Sequence, residues 1–314
     1  MKELSNSEKI ECDLLLQAIF MKYGYDFRNY TKPSIRRRIH NRLTRYNLKT
    51  ISEMQHTLLH NKKFFETLLL DITINVTEMF RDPSFFKTVR KTVIPNLKDR
   101  PFVKIWHAGC SSGEEVYSMA ILLREEGICR NFRIYATDMN EAVIDKAKKG
   151  IFSIAKMKNY TQNYIDSGGK ASFADYYTAR YDFALMDSSL RKDIVFSVHN
   201  LVNDGVFGEM DLIVCRNVLI YLNKELKDRV FSLFWESLCP GGFLCVGSKE
   251  TVRFSTYSDS FEDVTRKEKI YRKSFHPLPV TTGDCKLSQS ASRSPERKAE
   301  AGLADYSIMT TVTS

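Results

Sequence analysis

The run "VKIWHAGCSSGEEVYSMAILL" (103–123) leaves few folds open to this chain. An apolar, strand-like entry (Val103, Ile105, Trp106) passes through a bend of small residues, Ala108 to Gly113. It leaves through Glu114 and Glu115 into an apolar segment with helical spacing. In an open α/β sheet, a strand-to-helix bend without bulky Cβ substituents is where a ligand comes closest to the backbone. The flanking pattern agrees. From Pro101 the candidate strands "FVKIWHA", "FRIYATD", "DIVFSVHN", "MDLIVCRN" and "GGFLCVGS" alternate with the helical segments "EEVYSMAILLREEG", "NEAVIDKAKKG" and "KELKDRVFSLFWESLCPGG". A hairpin around "FEDVTRKEKIYRKS" follows, and the whole predicts a doubly wound α/β sheet. Pro240, Gly241 and Gly242 are expected to close the last helix. Residues 151–190, rich in Tyr, Asp and Gly, interrupt the alternation and read as an inserted subdomain.

The bend discriminates among ligands. It lacks the G-x-G-x-x-G of dinucleotide sites and the Lys of a phosphate-cradling loop. Glu114 and Glu115 at the helix start would repel a pyrophosphate and suit a cation such as an α-amino group or a sulfonium. Asp138 ends the second strand, where nucleotide sites place an acid on the ribose hydroxyls; a helix N-cap is its competing role. Together these features favour an adenosine ligand without phosphates, S-adenosylmethionine. The same sheet logic brings in Asn200 and the pair Arg216–Asn217 at other strand ends.

Ahead of the sheet, the first seventy or so residues read as helices. "EKIECDLLLQAIFMKYG" stops at Gly24; "KPSIRRRIHNRLTRY" offers Ser34 as an N-cap and an apolar stripe of Ile35, Ile39, Leu43 and Tyr46. Arg38, Arg42 and Arg45 form a neighbouring stripe. Between Lys22 and Lys63 stand eleven basic residues against two acids, an excess equal to the net charge of +9 of the whole chain. Such a run is a solvated face, a nucleic-acid surface or a docking face for an acidic protein, and charge alone leaves all three open. Seven scattered cysteines without a C-x-x-C pair predict reduced thiols and neither a disulfide framework nor a metal site. The N-terminus lacks a secretory h-region and no apolar run reaches spanning length, so a cytoplasmic protein without membrane insertion is expected. Residues 275–314, rich in Ser, Thr, Pro and Lys, are expected to be a disordered tail.

Taken in order, "NVTEMFRDPSFF", "HAGCSSGEEVYS", "YATDMNEAVIDKAKKGIFS", "HNLV" and "CRNVLIYL…PGGFLCVGSKE" resemble the CheR-type chemotaxis receptor methyltransferases, which are protein-glutamate O-methyltransferases. The resemblance runs from about residue 10 to residue 274. It implies a class I methyltransferase sheet with a small β-subdomain insertion, preceded by a small all-helical N-terminal domain. The corresponding boundaries are a basic helical domain (1–74), a linker contributing to the cofactor site (75–83) and a methyltransferase domain (84–274) with its subdomain at about 151–190. It further implies that Asn75, Thr77 and Arg81 close over the methionine end of S-adenosylmethionine, and that the "GEE" pair meets the amino group, Glu115 ahead of Glu114. Asp138 then takes the ribose, Asn200 and Leu201 flank the adenine, and Arg216 and Asn217 complete the pocket. Arg81 and Tyr221 are the catalytic candidates, with no metal. The implied partners are methyl-accepting chemoreceptors or related signalling proteins, docked on the Arg38, Arg42 and Arg45 face of a monomer, with no nucleic acid. "DSGGKAS" leaves dependence on a receptor tether peptide open. A glutamate carboxylate is already ionised near neutral pH, so such a transfer needs alignment and water exclusion rather than a base. The alternatives are a nucleic-acid methyltransferase using the basic face, and a non-catalytic S-adenosylmethionine-binding adaptor.

Overall fold

The computed structural model describes residues 5–73, 76–128 and 131–274. The expected tail and Asn75 lie outside the described residues. Four helices form an N-terminal cap: α1 (Asn6–Tyr23), α2 (Lys32–Arg45), α3 (Ile51–His60) and α4 (Lys62–Ile72). Their ends follow local chemistry. Ser5 and Glu8 make a reciprocal capping box at the start of α1, and Gly24, with φ 77°, ends it in the left-handed region. The side chains of Thr50 and Asn61 cap α3 and α4. Leu15, Ile19, Phe27, Ile35, Ile39, Met54, Leu58 and Leu68 fill the cap's own core.

Two expectations for α2 need correction. Ser34 is not its N-cap: Thr31 holds that position and Pro33 lies in the first turn, where a missing N–H breaks no helical bond. More consequentially, Arg38 and Arg42 are not a docking face. Both are buried, Arg42 with its side chain at 0% exposure. Four residues apart, they flank the apolar stripe and reach the C-terminal end of α4. There Arg42 donates to the Thr67 carbonyl at 2.6 Å and pairs with Asp71, while Arg38 donates to the carbonyls of Asp71 (3.1 Å) and Ile72. Arg38 satisfies orphan carbonyls at the C-terminus of α4, where a cation also suits the helix dipole, and Asp71 balances the charge of Arg42, which is why burial is tolerated here. Arg37 and Arg45 remain exposed.

Beyond the cap, α5 (Pro83–Thr92) and α6 (Ile94–Lys98) lead into β1 (Val103–Ala108), α7 (Glu114–Glu125), β2 (Phe132–Asp138) and α8 (Glu141–Lys149). The insertion comprises β3 (Ile151–Ser153), α9 (Ile154–Asp166), β4 (Tyr177–Arg180) and β5 (Phe183–Met186). The chain then runs through α10 (Ser188–Arg191), β6 (Ile194–Val198), β7 (Met210–Cys215), α11 (Lys224–Ser237), β8 (Leu238–Val246), β9 (Phe261–Thr265) and β10 (Ile270–Lys273). The main sheet has the order β6-β2-β1-β7-β8-β10-β9; β6 to β8 run parallel, and β10 pairs antiparallel with β8 on one side and β9 on the other. Every residue of β7 is buried, as a strand covered on both faces requires. The insertion folds as a separate antiparallel sheet, β3-β5-β4.

The helix α11 stops at Ser237, ahead of the expected Pro–Gly–Gly closure. Leu238 already pairs with Met210, and the register then jumps to Leu212–Phe243, so Cys239–Gly242 form an irregularity inside the strand pair rather than a helix end. The helices α5 and α6 that follow the linker, unread in the sequence, sink Phe85, Phe86, Val89, Val93, Ile94 and Leu97 into the main core.

The order of the strands decides where a ligand goes. From β1 the chain moves outward to β2 and β6, then returns to β7 on the other side, so the strand order reverses between β1 and β7. A crevice at the carboxyl ends of these strands is the expected result. The cap closes over it: Tyr30 bridges Leu222, the Thr31 N–H donates to the Tyr221 carbonyl at 2.8 Å, and the Asn223 N–H donates to the Asn29 carbonyl at 3.1 Å.

Candidate active site

A concave crevice opens at that point, lined by residues from the cap, the linker and the loops at the strand carboxyl ends, as small-ligand sites in open sheets are. Its wall collects Thr77 and Arg81 from the linker, Gly109 to Ser111 and Glu115 from the β1–α7 bend, and Asp138 from the end of β2. Asn200 and Leu201 come from beyond β6, and Arg216, Asn217 and Tyr221 from beyond β7. Asn75 lies outside the described residues. Glu114 does not reach the wall: its buried carboxylate accepts from Ser112 Oγ at 2.6 Å and faces Tyr160 Oη at 3.4 Å, under the inserted subdomain. Consecutive helical residues point about 100° apart, and here that turn carries Glu115 to the crevice and Glu114 away from it.

The bend is built for close approach. Gly109 has φ 82°, and a Cβ there would sit 2.5 Å from Val218 Cγ2, so only glycine lets the loops after β1 and β7 meet. The N–H groups of Gly109 and Cys110 both donate to the Thr137 carbonyl at 2.8 Å. Asp138 is held at its two oxygens by the N–H groups of Ser111 and Asn140, each at 3.0 Å. Burial raises its pKa against those hydrogen bonds. The N-cap of α8 is Asn140, not Asp138.

Glu115 is the electrostatic centre. Arg216, with 2% of its side chain exposed, donates to Glu115 Oε2 at 2.7 Å, to Asp82 Oδ2 at 2.5 Å and to the Arg81 carbonyl at 3.3 Å, and its guanidinium stacks on Phe85 at 4.1 Å. His107 Nδ1 lies 3.3 Å from Glu115 Oε1. Burial pushes the Glu115 pKa up, but the charge of Arg216 and the contact with His107 outweigh it, holding the carboxyl at about 2. Glu115 therefore stays anionic at every working pH, with Arg216 tying it to the linker. Asp82 pairs with Arg216 rather than with its neighbour Arg81, which donates to the Val76 carbonyl at 3.1 Å.

On the cap side, Tyr221 has the Arg38 guanidinium 5.3 Å from its ring centroid. Burial raises its pKa and Arg38 opposes that rise. Arg38 is thus behind the site tyrosine rather than on a partner surface. Tyr30, Met139, His199 and Val218 also line the crevice. Met139, adjacent to Asp138, was within reach of sequence reasoning; Tyr30, from a loop more than a hundred residues away, was not.

The residues fit S-adenosylmethionine. A persistent carboxylate suits its amino group, a second acid at the end of β2 suits a ribose diol, and the small-residue bend admits the ligand without presenting a lysine for phosphate. Comparison with known proteins agrees. The CheR methyltransferase SAM binding domain matches residues 75–270, and the CheR methyltransferase all-alpha domain matches residues 10–73. The protein Cher3 of Pseudomonas putida is 54% identical over 265 residues, which cover 84% of this chain and 97% of that one. A chemotaxis protein methyltransferase of Listeria innocua is 33% identical over 241 residues (73% and 85%), and one of Listeria monocytogenes 30% over 236 residues (73% and 85%). The chain is a member of the CheR methyltransferase family, an S-adenosylmethionine-dependent methyltransferase.

Proposed function

We propose that this enzyme methylates glutamate side-chain carboxylates on the cytoplasmic helices of methyl-accepting chemoreceptors. The observation that carries this reading is the charge layout of the crevice. Its carboxylates, Glu115 and Asp138, come from the β1–α7 bend and the end of β2, whereas the linker and the β7 loop contribute Arg81 and Tyr221, with Arg38 behind the ring. That side suits an anionic acceptor. Burial lowers the pKa of His199, the histidine on the wall, so it adds no charge there.

When bound, S-adenosylmethionine supplies an electrophilic methyl group. Glu115 takes its amino group, Asp138 the ribose, Asn200 and Leu201 the adenine, and Thr77, Arg81, Arg216 and Asn217 enclose the methionine end. Arg81 orients the incoming carboxylate through its planar fork, and Tyr221 borders the path of the methyl group. Desolvation of the acceptor under the cap replaces general-base catalysis. The receptor docks as a monomer's partner in the cytoplasm, using exposed cations such as Arg37 and Arg45. No helix among the described residues is long and apolar enough to cross a membrane.

The test is transfer from labelled S-adenosylmethionine to receptor cytoplasmic fragments and to total RNA in parallel. Label in the receptor fragment is expected. Label in RNA alone would replace the reading with a nucleic-acid methyltransferase, and cofactor binding without transfer to any protein would leave an adaptor.

A further inference from the structure

We propose that Glu250 is a positioning residue for the acceptor side of the site. Its carboxylate holds the turn 217–221 in the one conformation that brings Asn217 and Tyr221 to the crevice wall. The proposal rests on the reading of Tyr221 given above and adds a residue that never touches the crevice.

Glu250 follows β8 and is 4% exposed. Its Oε2 accepts from the N–H groups of Gly247 at 2.5 Å and Asn217 at 3.0 Å; its Oε1 accepts from the Ile220 N–H at 3.2 Å. These donors belong to two segments. Gly247 lies at the end of β8, while Asn217 and Ile220 lie beyond β7, Ile220 within the 3₁₀ turn Leu219–Tyr221. The carboxylate thus laces together the ends of two parallel strands and caps the short helix that carries Tyr221.

The turn requires such a brace. Asn217 has φ 61°, a left-handed conformation that asparagine tolerates better than other non-glycine residues but that still lies above the right-handed one in energy, so contacts from outside the turn help to hold it. A single turn of 3₁₀ helix is too short to hold itself. Packing leaves no slack: a Cβ at Gly247 would sit 2.6 Å from Glu250 Oε2 and 2.9 Å from the Asn217 nitrogen. Burial raises the Glu250 pKa, and the backbone donors oppose that rise. The carboxylate is therefore placed to serve those N–H groups rather than water.

Glutamine at this position offers one oxygen in place of two and turns an NH₂ toward backbone donors, so part of the lacing is lost. The test is Glu250→Gln against wild type, with three measurements. These are transfer rate at saturating cofactor and receptor fragment, Kd for S-adenosylhomocysteine, and hydrogen exchange of the 216–222 amides. The expected result is a fall in kcat of tenfold or more, a Kd within threefold, and faster exchange at Asn217 and Ile220. Glu115 on α7, Asp138 at the end of β2, and Asn200 and Leu201 beyond β6 keep their contacts with the amino group, ribose and adenine, so only the Asn217 contact at the methionine end is weakened. An unchanged kcat with unchanged exchange would overturn the proposal. So would a loss of cofactor affinity matching the loss of rate, the mark of a merely structural role. If wild type fails to modify the receptor fragment, the acceptor reading fails while the exchange measurement still decides whether Glu250 braces the turn.

Discussion

Replacing Glu115 with glutamine keeps the shape of the site and removes one charge, so its consequences can be worked out. Glu115 is held at about pKa 2 by Arg216 and His107 against the cost of burial. An unperturbed glutamate titrates near 4.3, so the folded state favours the anion by on the order of 3 kcal/mol. Because the folded pKa is depressed, this contribution is fully present above about pH 5 and lost as pH falls toward 2. In Glu115→Gln, Arg216 keeps Asp82 and the Arg81 carbonyl, and the amide oxygen can still accept one bond. The net loss is then about 2 kcal/mol rather than the full cost of orphaning a buried charge. That corresponds to roughly 5 °C in Tm for a domain of this size. For the ligand, a hydrogen bond between charged groups contributes about 1.5–3 kcal/mol, or roughly a 10- to 150-fold change in Kd. Isothermal calorimetry should use two ligands: S-adenosylhomocysteine, which carries the amino acid, and 5′-methylthioadenosine, which lacks it. The variant is expected to lose affinity for the first by that factor and to bind the second within twofold of wild type. Equal weakening of both ligands, or of neither, would refute the assignment of Glu115 to the amino group.

The other predictions concern different parts of the molecule. Arg42→Met removes a cation tied to Thr67 and Asp71 and is expected to cost about 3 kcal/mol in urea unfolding. Arg45→Ala, on the exposed side, should stay within about 0.5 kcal/mol in the same assay while lowering receptor methylation in a salt-dependent way. Burial raises the Asp138 pKa, so its anion is the disfavoured form in the fold and protonates at higher pH than an ordinary aspartate. Wild-type cofactor affinity, followed by calorimetry, should therefore begin to fall at a pH above the ordinary aspartate range and keep falling on acidification, a decline absent in Asp138→Asn and not attributable to Glu115. Gly109→Ala forces a Cβ to within 2.5 Å of Val218 at φ 82° and should weaken cofactor binding at least tenfold. Adding Val218→Ala should restore more than half of that loss in free energy if the clash is its main cause.

What the sequence made legible follows from the range of the forces involved. The strands "FVKIWHA" and "FRIYATD" correspond closely to β1 and β2, and the small-residue bend lies at the crevice, because alternation and turn chemistry are local signals. Asp138, Asn200 and Arg216 were reachable by one further step, the rule that parallel-sheet sites gather at strand carboxyl ends. Arg38 and Arg42 show where this reasoning stops. Their spacing marks a stripe, but whether it meets solvent or the end of α4 depends on helix packing that no local window contains. The same holds for Glu250, whose partners Asn217 and Ile220 lie 33 and 30 residues back along the chain, and for Tyr30, which meets the crevice only once the cap closes. The early end of α11 has another cause: Pro240 and the glycines are strong stop signals, but pairing of Leu238 with Met210 captures the chain before they act.

The destination of the methyl group defines this enzyme. The direct measurement is peptide mass spectrometry of a receptor cytoplasmic fragment after incubation with the enzyme and S-adenosylmethionine, before and after mild base. The prediction is a gain of one methyl group on a glutamate side chain, removed by base as a carboxyl ester must be. A base-stable methyl group on nitrogen, or modification of nucleic acid with the receptor untouched, would contradict it.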